Sequence, residues 1–333
     1  MNRRSFLHQT SLAAGTFLLP RTAWVATPKV KPSSSLRFGL VADVHHGMLP
    51  DTQQRLEVFL EQAQQEAVDL LIQLGDFCHP EEKSKPFLER WNSWEKPRYH
   101  VLGNHDMDLG SKAAIMDLWE MPAPFYAFVE KGIRFLVLDA NFLYQEGKYI
   151  AYDTANFYVD DALRTFVHPE QIEWLAGELA ASQEPVIVLS HQSLWHYQFG
   201  VKNRLAIQHV LEAHADKVIC CFNGHNHIDY HHQQNGIHYL DINSMSYQWL
   251  GEAHQYPRYP EAMLAEYKWL NHLAPYQDPL FAMGTIEPSG RVEVRGVRSQ
   301  WMPPSPADMG VPEPPLGNRY SPRISDRVIE GRN

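Results

Sequence analysis

Three short apolar runs in the first hundred residues, each ending in Asp, His or Asn, constrain this chain more than any other feature. Leu36 to Val41 (LRFGLV) leads into Asp43-Val44-His45-His46-Gly47. Asp69 to Leu74 leads into Gly75-Asp76, and Tyr99 to Leu102 into Gly103-Asn104-His105-Asp106. Brief apolar runs bounded by turn-forming residues read as buried strands opening into loops. Between the first two, Leu56, Phe59, Leu60, Ala63 and Ala67 recur at helical spacing, with Asp51 placed as an N-cap. A partly helical stretch separates the second run from the third. Strand–helix–strand alternation implies parallel strands with crossover helices, which is an α/β fold. Ligand sites in such sheets lie at the carboxyl ends of the strands, where these polar residues fall.

The rest of the chain repeats the device. Ser111 to Trp119 reads as a short helix. Phe125–Val129 and Ile133–Leu138 flank Glu130-Lys131-Gly132 and read as a hairpin. Pro169-Glu170 opens a helix carrying Ile172, Leu175 and Leu179. The run Pro185 to Leu189 (PVIVL) ends in Ser190-His191-Gln192. After a helix over 205–214, Lys217 to Phe222 ends in Asn223-Gly224-His225-Asn226-His227. Hairpins follow around Asn235-Gly236 and Glu287-Pro288-Ser289-Gly290. These elements define a domain over about 36–300. Residues 141–168 and 246–277 are aromatic without clear period, and they read as insertions near the site mouth, the first as a lid. Residues 303–333 form a Pro-rich tail that should run over the surface or stay disordered.

The first 26 residues read as a leader rather than as part of the fold. Asn2-Arg3-Arg4-Ser5-Phe6-Leu7 precedes an apolar run from Leu12 to Leu19, and the first acidic residue is Asp43. The paired arginines followed by Phe and Leu resemble a twin-arginine signal. The expected partner is therefore the twin-arginine export machinery, and the expected location periplasmic or extracellular. The apolar run is too short to span a bilayer and no other long apolar run occurs, so no membrane anchor is expected in the mature chain. The 333-residue chain has a formal net charge of -10. An acidic surface argues against nucleic acid as the main partner but leaves room for a small phosphate ester at a metal site. Its three cysteines include no C-x-x-C pair, so neither a disulfide framework nor a structural zinc site is expected.

Taken in order, the strand endings are Asp43-Val44-His45, Gly75-Asp76, Gly103-Asn104-His105-Asp106, His191 and Gly224-His225-Asn226-His227. This series resembles the calcineurin-like metallophosphoesterase family, described by D-x-H, G-D, G-N-H-[DE], a lone H and G-H-x-H. The resemblance spans about residues 36–245. It implies a four-layer α-β-β-α sandwich of two mixed β-sheets flanked by helices. It also implies two divalent or trivalent metal ions, manganese, iron or zinc. Asp43, His45 and His227 would hold one metal, Asn104, His191 and His225 the other, with Asp76 bridging. The implied activity is hydrolysis of a small phosphomonoester or phosphodiester through a metal-activated hydroxide. His105 would donate a proton to the leaving group and Asp106 would orient it. Purple acid phosphatases carry a Tyr ligand soon after the G-D aspartate; here the sequence is Asp76-Phe77-Cys78-His79, so no iron–tyrosinate colour is expected.

Singly, these residues have plainer readings. Asp43 and Asp76 suit helix caps or turns, and Asn104 a turn after glycine. His46 reads as a loop residue or a substrate contact, His79 has no partner in sequence, and His231, His232 and His238 read as surface residues of a hairpin. The competing function is an exported metal-binding or scaffolding protein with a silent site, which an intact His105 and Asp106 oppose.

Overall fold

The computed structural model describes residues 34–196, 200–314 and 318–331. The leader read at 1–26 lies outside the described residues. The chain begins with β1 (Leu36–Val41), α1 (Thr52–Gln65), β2 (Leu70–Gln73), α2 (Lys85–Asn92) and β3 (Arg98–His100). The three strands pair in parallel, as strand–helix alternation requires. Helix α3 (Lys112–Leu118) starts at Ser111, whose side chain accepts the Ala114 N–H. The hairpin β4 (Tyr126–Glu130) and β5 (Ile133–Leu138) comes next. Strands β6 (Phe142–Gln145), β7 (Lys148–Ala151) and β8 (Arg164–Phe166) then form a small sheet of their own. Helix α4 (Pro169–Ala181), β9 (Val186–Ser190), α5 (Arg204–Ala213) and β10 (Val218–Asn223) follow, then the hairpin β11 (Tyr230–Gln234) and β12 (Ile237–Asp241). Strand β13 (Tyr247–Trp249), α6 (Glu261–Leu264) and β14 (Leu273–Pro275) precede β15 (Ala282–Ile286), β16 (Val292–Gly296) and β17 (Arg327–Ile329).

Two six-stranded mixed sheets result, ordered β17-β16-β15-β1-β2-β3 and β11-β12-β10-β9-β5-β4. Alternation along each strand sends one set of side chains between the sheets and the other outward. Phe38, Leu40, Ile72, Phe135, Ile187, Leu189 and Phe222 fill the space between the sheets. Outside the first sheet, Leu56, Phe59, Leu60 and Ala63 of α1 and Phe87 and Trp91 of α2 cover Val41 and Leu71. Outside the second, Leu175 and Leu179 of α4 and Ile207 and Leu211 of α5 cover Leu136, Val188 and Cys221. The order is helix, sheet, sheet, helix, the four-layer sandwich expected. Each such buried side chain contributes about 1.5–3 kcal/mol through removal from water. Cys78, Cys220 and Cys221 are buried free thiols.

Three local expectations change. Asp51 precedes α1 but its side chain makes no cap bond; its φ of -105° and ψ of 15° are not extended cap geometry. Its carboxylate pairs with Arg55 at 2.9 Å instead. The tail does not only run over the surface, since β17 adds an edge strand beside β16. The aperiodic 141–168 stretch holds strands β6 to β8, too short and twisted around turns for sequence periodicity to reveal. Among the described residues, no helix is long and apolar enough to cross a membrane.

Candidate metal centre

The parallel strands end together at one edge of the sandwich, and the loops leaving them converge. Asp43 and His45 follow β1, Asp76 follows β2, His191 follows β9, and His225 and His227 follow β10. Five of these, Asp43, His45, Asp76, His225 and His227, hold left-handed backbone with φ between 49° and 70°. Non-glycine residues in that region carry strain of about 1 kcal/mol or more each, and such strain clusters at functional sites. The adjoining glycines explain the short motifs. A Cβ on Gly75 would lie 2.5 Å from His191 Nδ1 and 2.8 Å from the Gly103 Cα. A Cβ on Gly103 would collide with the Asp76 amide and carboxylate. Only bare backbone lets these loops come so close.

Two groups of ligand atoms form. Asp43, His45 and His227 make one, Asp76, His191 and His225 the other; within each, the atoms lie within 4.8 Å of one another. The groups share a border. Asp76 Oδ2 is 3.1 Å from His191 Nε2 and 3.7 Å from His45 Nε2. Asp43 Oδ1 is 3.3 Å from His227 Nε2 and 3.9 Å from His191 Nε2. Asn104 lies nearly buried in the same cleft wall. Gln192 Nε2 donates to Asn104 Oδ1 at 3.4 Å and to Asn141 Oδ1 at 2.9 Å.

The donors fit metal ions. Ring nitrogens approach in pairs, His45 Nε2 to His227 Nε2 at 3.2 Å and His225 Nδ1 to His191 Nε2 at 3.3 Å. Such pairs are poorly served by protons alone and well served by a shared cation. His191 Nδ1 donates to the Leu74 carbonyl at 2.7 Å and His227 Nδ1 to the Tyr247 carbonyl at 2.8 Å. Anchoring one ring nitrogen on a carbonyl fixes the tautomer and aims the other as a ligand. All donors are N or O, which suits manganese, iron or zinc.

Charge is unevenly shared. Burial disfavours charging His45 and His225, and both are held well below the usual imidazole value, so their rings are neutral. Burial also opposes charging His191, but the Asp76 carboxylate overcomes it and raises the ring to about 9. The converse holds for Asp76, where burial is overcome by charged His191 and the carboxyl lies well below its usual range.

His105 stands beside both groups, its ring centroid 5.4 Å from that of His45. Its orienting partner is not Asp106, as expected from the sequence, but Asp108. Asp106 is fully buried, and both of its oxygens are taken by backbone N–H groups. One of its oxygens accepts the Asp76 and Gly103 N–H groups at 3.0 and 2.8 Å, and the other the Phe77 N–H at 2.7 Å. It clasps the two ligand loops together. Asp108 Oδ2 lies 2.9 Å from His105 Nδ1, and Tyr158 donates to Asp108 Oδ1 at 2.8 Å. Desolvation opposes charging His105, but Asp76 and Asp108 outweigh it and raise the ring to about 9. His79, unpartnered in sequence, brings Nε2 to 3.7 Å of Asp108. His46 stacks on Phe87 with centroids 4.3 Å apart, and His231 pairs with His238 in the hairpin at 2.9 Å. The sequence reading missed Asp108 and Tyr158. The available signal was the 3₁₀ turn His105–Met107, on which residue i+3 stacks over residue i.

His45 and His227 of one group and Asp76 and His225 of the other line one cleft of about 930 Å³, with Asp43 and His191 buried behind them. The family model for calcineurin-like phosphoesterase matches residues 36–229. A dimetal phosphatase from Danio rerio superposes with a TM-score of 0.61 at 16% identity, covering 89% of this chain and 99% of that one. GAP50, the anchor in the inner membrane complex of Plasmodium, superposes with a TM-score of 0.51 at 14% identity, covering 79% and 84%. At such identities the likeness is one of fold. No curated protein matches the chain.

Proposed function

From the premise that this chain belongs to the calcineurin-like phosphoesterase family and is a phosphate-ester hydrolase, we propose that it cleaves small phosphomonoesters or phosphodiesters with two metal ions. The observation that carries this reading is the pair of bordering ligand groups with Asp76 within reach of both. Asp43, His45 and His227 would hold one ion, and His191 and His225 with Asn104 the other. Asp76 would be shared between the two ions, and its Oδ1 also accepts the His105 N–H at 2.7 Å. When bound, two such ions supply a nucleophilic water at neutral pH and charge to oppose the phosphoryl oxygens.

The remaining work falls to side chains. His105 is the proton donor to the leaving oxygen. With Nδ1 engaged by Asp108, Nε2 is the ring atom free to give its proton. Asp108 stabilises the protonated ring and fixes its angle, and Tyr158 in turn holds Asp108. Asp106 acts one step back, through the loops that carry Asp76 and Asn104. The test is hydrolysis of p-nitrophenyl phosphate and bis(p-nitrophenyl) phosphate with manganese, iron or zinc added, beside His105→Ala. Metal bound with no turnover of either ester would instead support a silent metal-binding protein.

We infer also that the protein works outside the cytoplasm after twin-arginine export. The support is Arg3-Arg4 with Phe6 and Leu7 ahead of the 12–19 apolar run. Changing Arg3 and Arg4 to Lys should trap the protein in the cytoplasm, and undiminished export would refute the route.

A further inference from the structure

We propose that the cleft carries a second, aromatic subsite, with Trp249 as a platform on which an aromatic ring of the substrate's esterified group stacks. The proposal rests on the phosphoesterase reading above. The wall of the cleft runs continuously from the metal ligands to this platform. Tyr247 packs its ring 5.3 Å from that of His45 and 5.1 Å from that of His227. Trp249 lies two residues further along β13, so it points to the same side of the strand. Both tryptophans of this wall, Trp249 and Trp269, line the same cavity as His45, Asp76 and His227.

The ring is fixed but not consumed by packing. Trp249 is 43% exposed and Trp269 39%, unlike the fully buried Trp91 of the core. His272 stacks parallel to Trp249, centroids 5.5 Å apart and planes 8° apart. His272 is itself held by Glu252, Nε2 to Oε1 at 3.2 Å. Trp269 meets Trp249 edge-on at 6.1 Å and 64°. Trp269 already carries the Lys268 ammonium 5.3 Å from its ring centre, which leaves Trp249 as the open stacking surface and Trp269 as its buttress. A large apolar ring held rigid and half in water, inside the cleft that holds the reacting phosphate, loses little entropy when it stacks. The complementary group is planar and aromatic, an aryl ring or a nucleobase. Stacking of a base on an aromatic side chain is worth roughly a 5- to 150-fold gain in affinity.

The test uses calorimetry on the manganese-loaded protein with phosphonates that cannot be hydrolysed: methylphosphonate, benzylphosphonate and a nucleoside 5′-phosphonate. The wild type should bind the two aromatic ligands about tenfold tighter than methylphosphonate or better. Trp249→Ala should erase that preference while leaving methylphosphonate binding unchanged, and Trp249→Phe should restore part of it. Trp269→Ala should weaken the preference without removing it. A nucleoside ligand tighter than benzylphosphonate assigns the subsite to nucleobases, and the reverse order assigns it to aryl groups. Equal affinities in the wild type, or a preference that survives Trp249→Ala, would overturn the proposal. Because the readout is binding, loss of the subsite is distinct from failure of the hydrolase reading, which shows as absent turnover.

Discussion

The division of work between two neighbouring carboxylates is testable through Asp108→Asn. The carboxylate receives the His105 Nδ1–H at 2.9 Å and the Tyr158 hydroxyl at 2.8 Å. Asparagine keeps the shape and can still accept from Tyr158, but it cannot neutralise a protonated imidazole. A hydrogen bond to a charged group contributes about 1.5–3 kcal/mol. Losing it weakens the hold of His105 on its proton roughly 10- to 150-fold, so near pH 9 kcat falls by up to about that factor through the smaller share of protonated enzyme. The sign with pH follows from the raised value of His105, about 9 against an ordinary 6.5. Below the ordinary value both enzymes hold the proton, so orientation alone separates them. As pH rises toward 9 the variant loses the proton first, and the deficit widens. Asp76 contributes to the same upward shift, and cations beside it reduce its share, so dependence on Asp108 is greatest in the loaded enzyme. The assay compares kcat for p-nitrophenyl and alkyl esters across this pH range. An alkoxide needs the proton and nitrophenolate does not, so the alkyl ester should lose far more. Equal losses on both esters, or a deficit flat with pH, would refute Asp108 as the partner of the proton donor.

Other outcomes follow from the same geometry. Asp106→Asn can keep acceptors for only part of its three N–H bonds, so it should destabilise the fold by about 2 kcal/mol and lower metal content, seen by denaturant titration and elemental analysis. Asn104→Ala should weaken metal retention, whereas His105→Ala should keep both metals and lose rate by roughly a hundredfold or more on alkyl esters; an emptied site in His105→Ala would reverse the assignment. Metal must displace the proton that Asp76 holds on His191, whose ring is raised to about 9, so apparent affinity should climb up to roughly tenfold per pH unit between 7 and 9 in chelator competition. Gly103→Ala should lower metal content, because its Cβ meets the Asp76 carboxylate, and normal loading would show that the loops can part.

What the sequence showed of this site was local, and what it hid was the contact between loops. The three parallel strands at the start were legible because LRFGLV and its successors are short apolar runs cut off by Gly, Asp and His. The glycines were legible for a reason the packing of the loops supplies: at Gly75 and Gly103 any Cβ would strike a neighbouring ligand loop. The same closeness makes five of the surrounding residues adopt left-handed backbone, a strain that no propensity would choose and that tertiary contacts impose. The stretch 141–168 was illegible because β6 to β8 are three or four residues each, yet it delivers Tyr158 to Asp108 across 50 positions of sequence. Asp106 and Asp108 illustrate the point most directly. Adjacency suggested that the residue after His105 would hold its ring. On a 3₁₀ turn, however, the side chain at i+1 leaves in another direction and the one at i+3 comes back over residue i. The buried direction at i+1 is where the free amides of Asp76, Phe77 and Gly103 gather, so a carboxylate there serves the scaffold. The direction at i+3 opens on the cleft, so a carboxylate there can serve the chemistry.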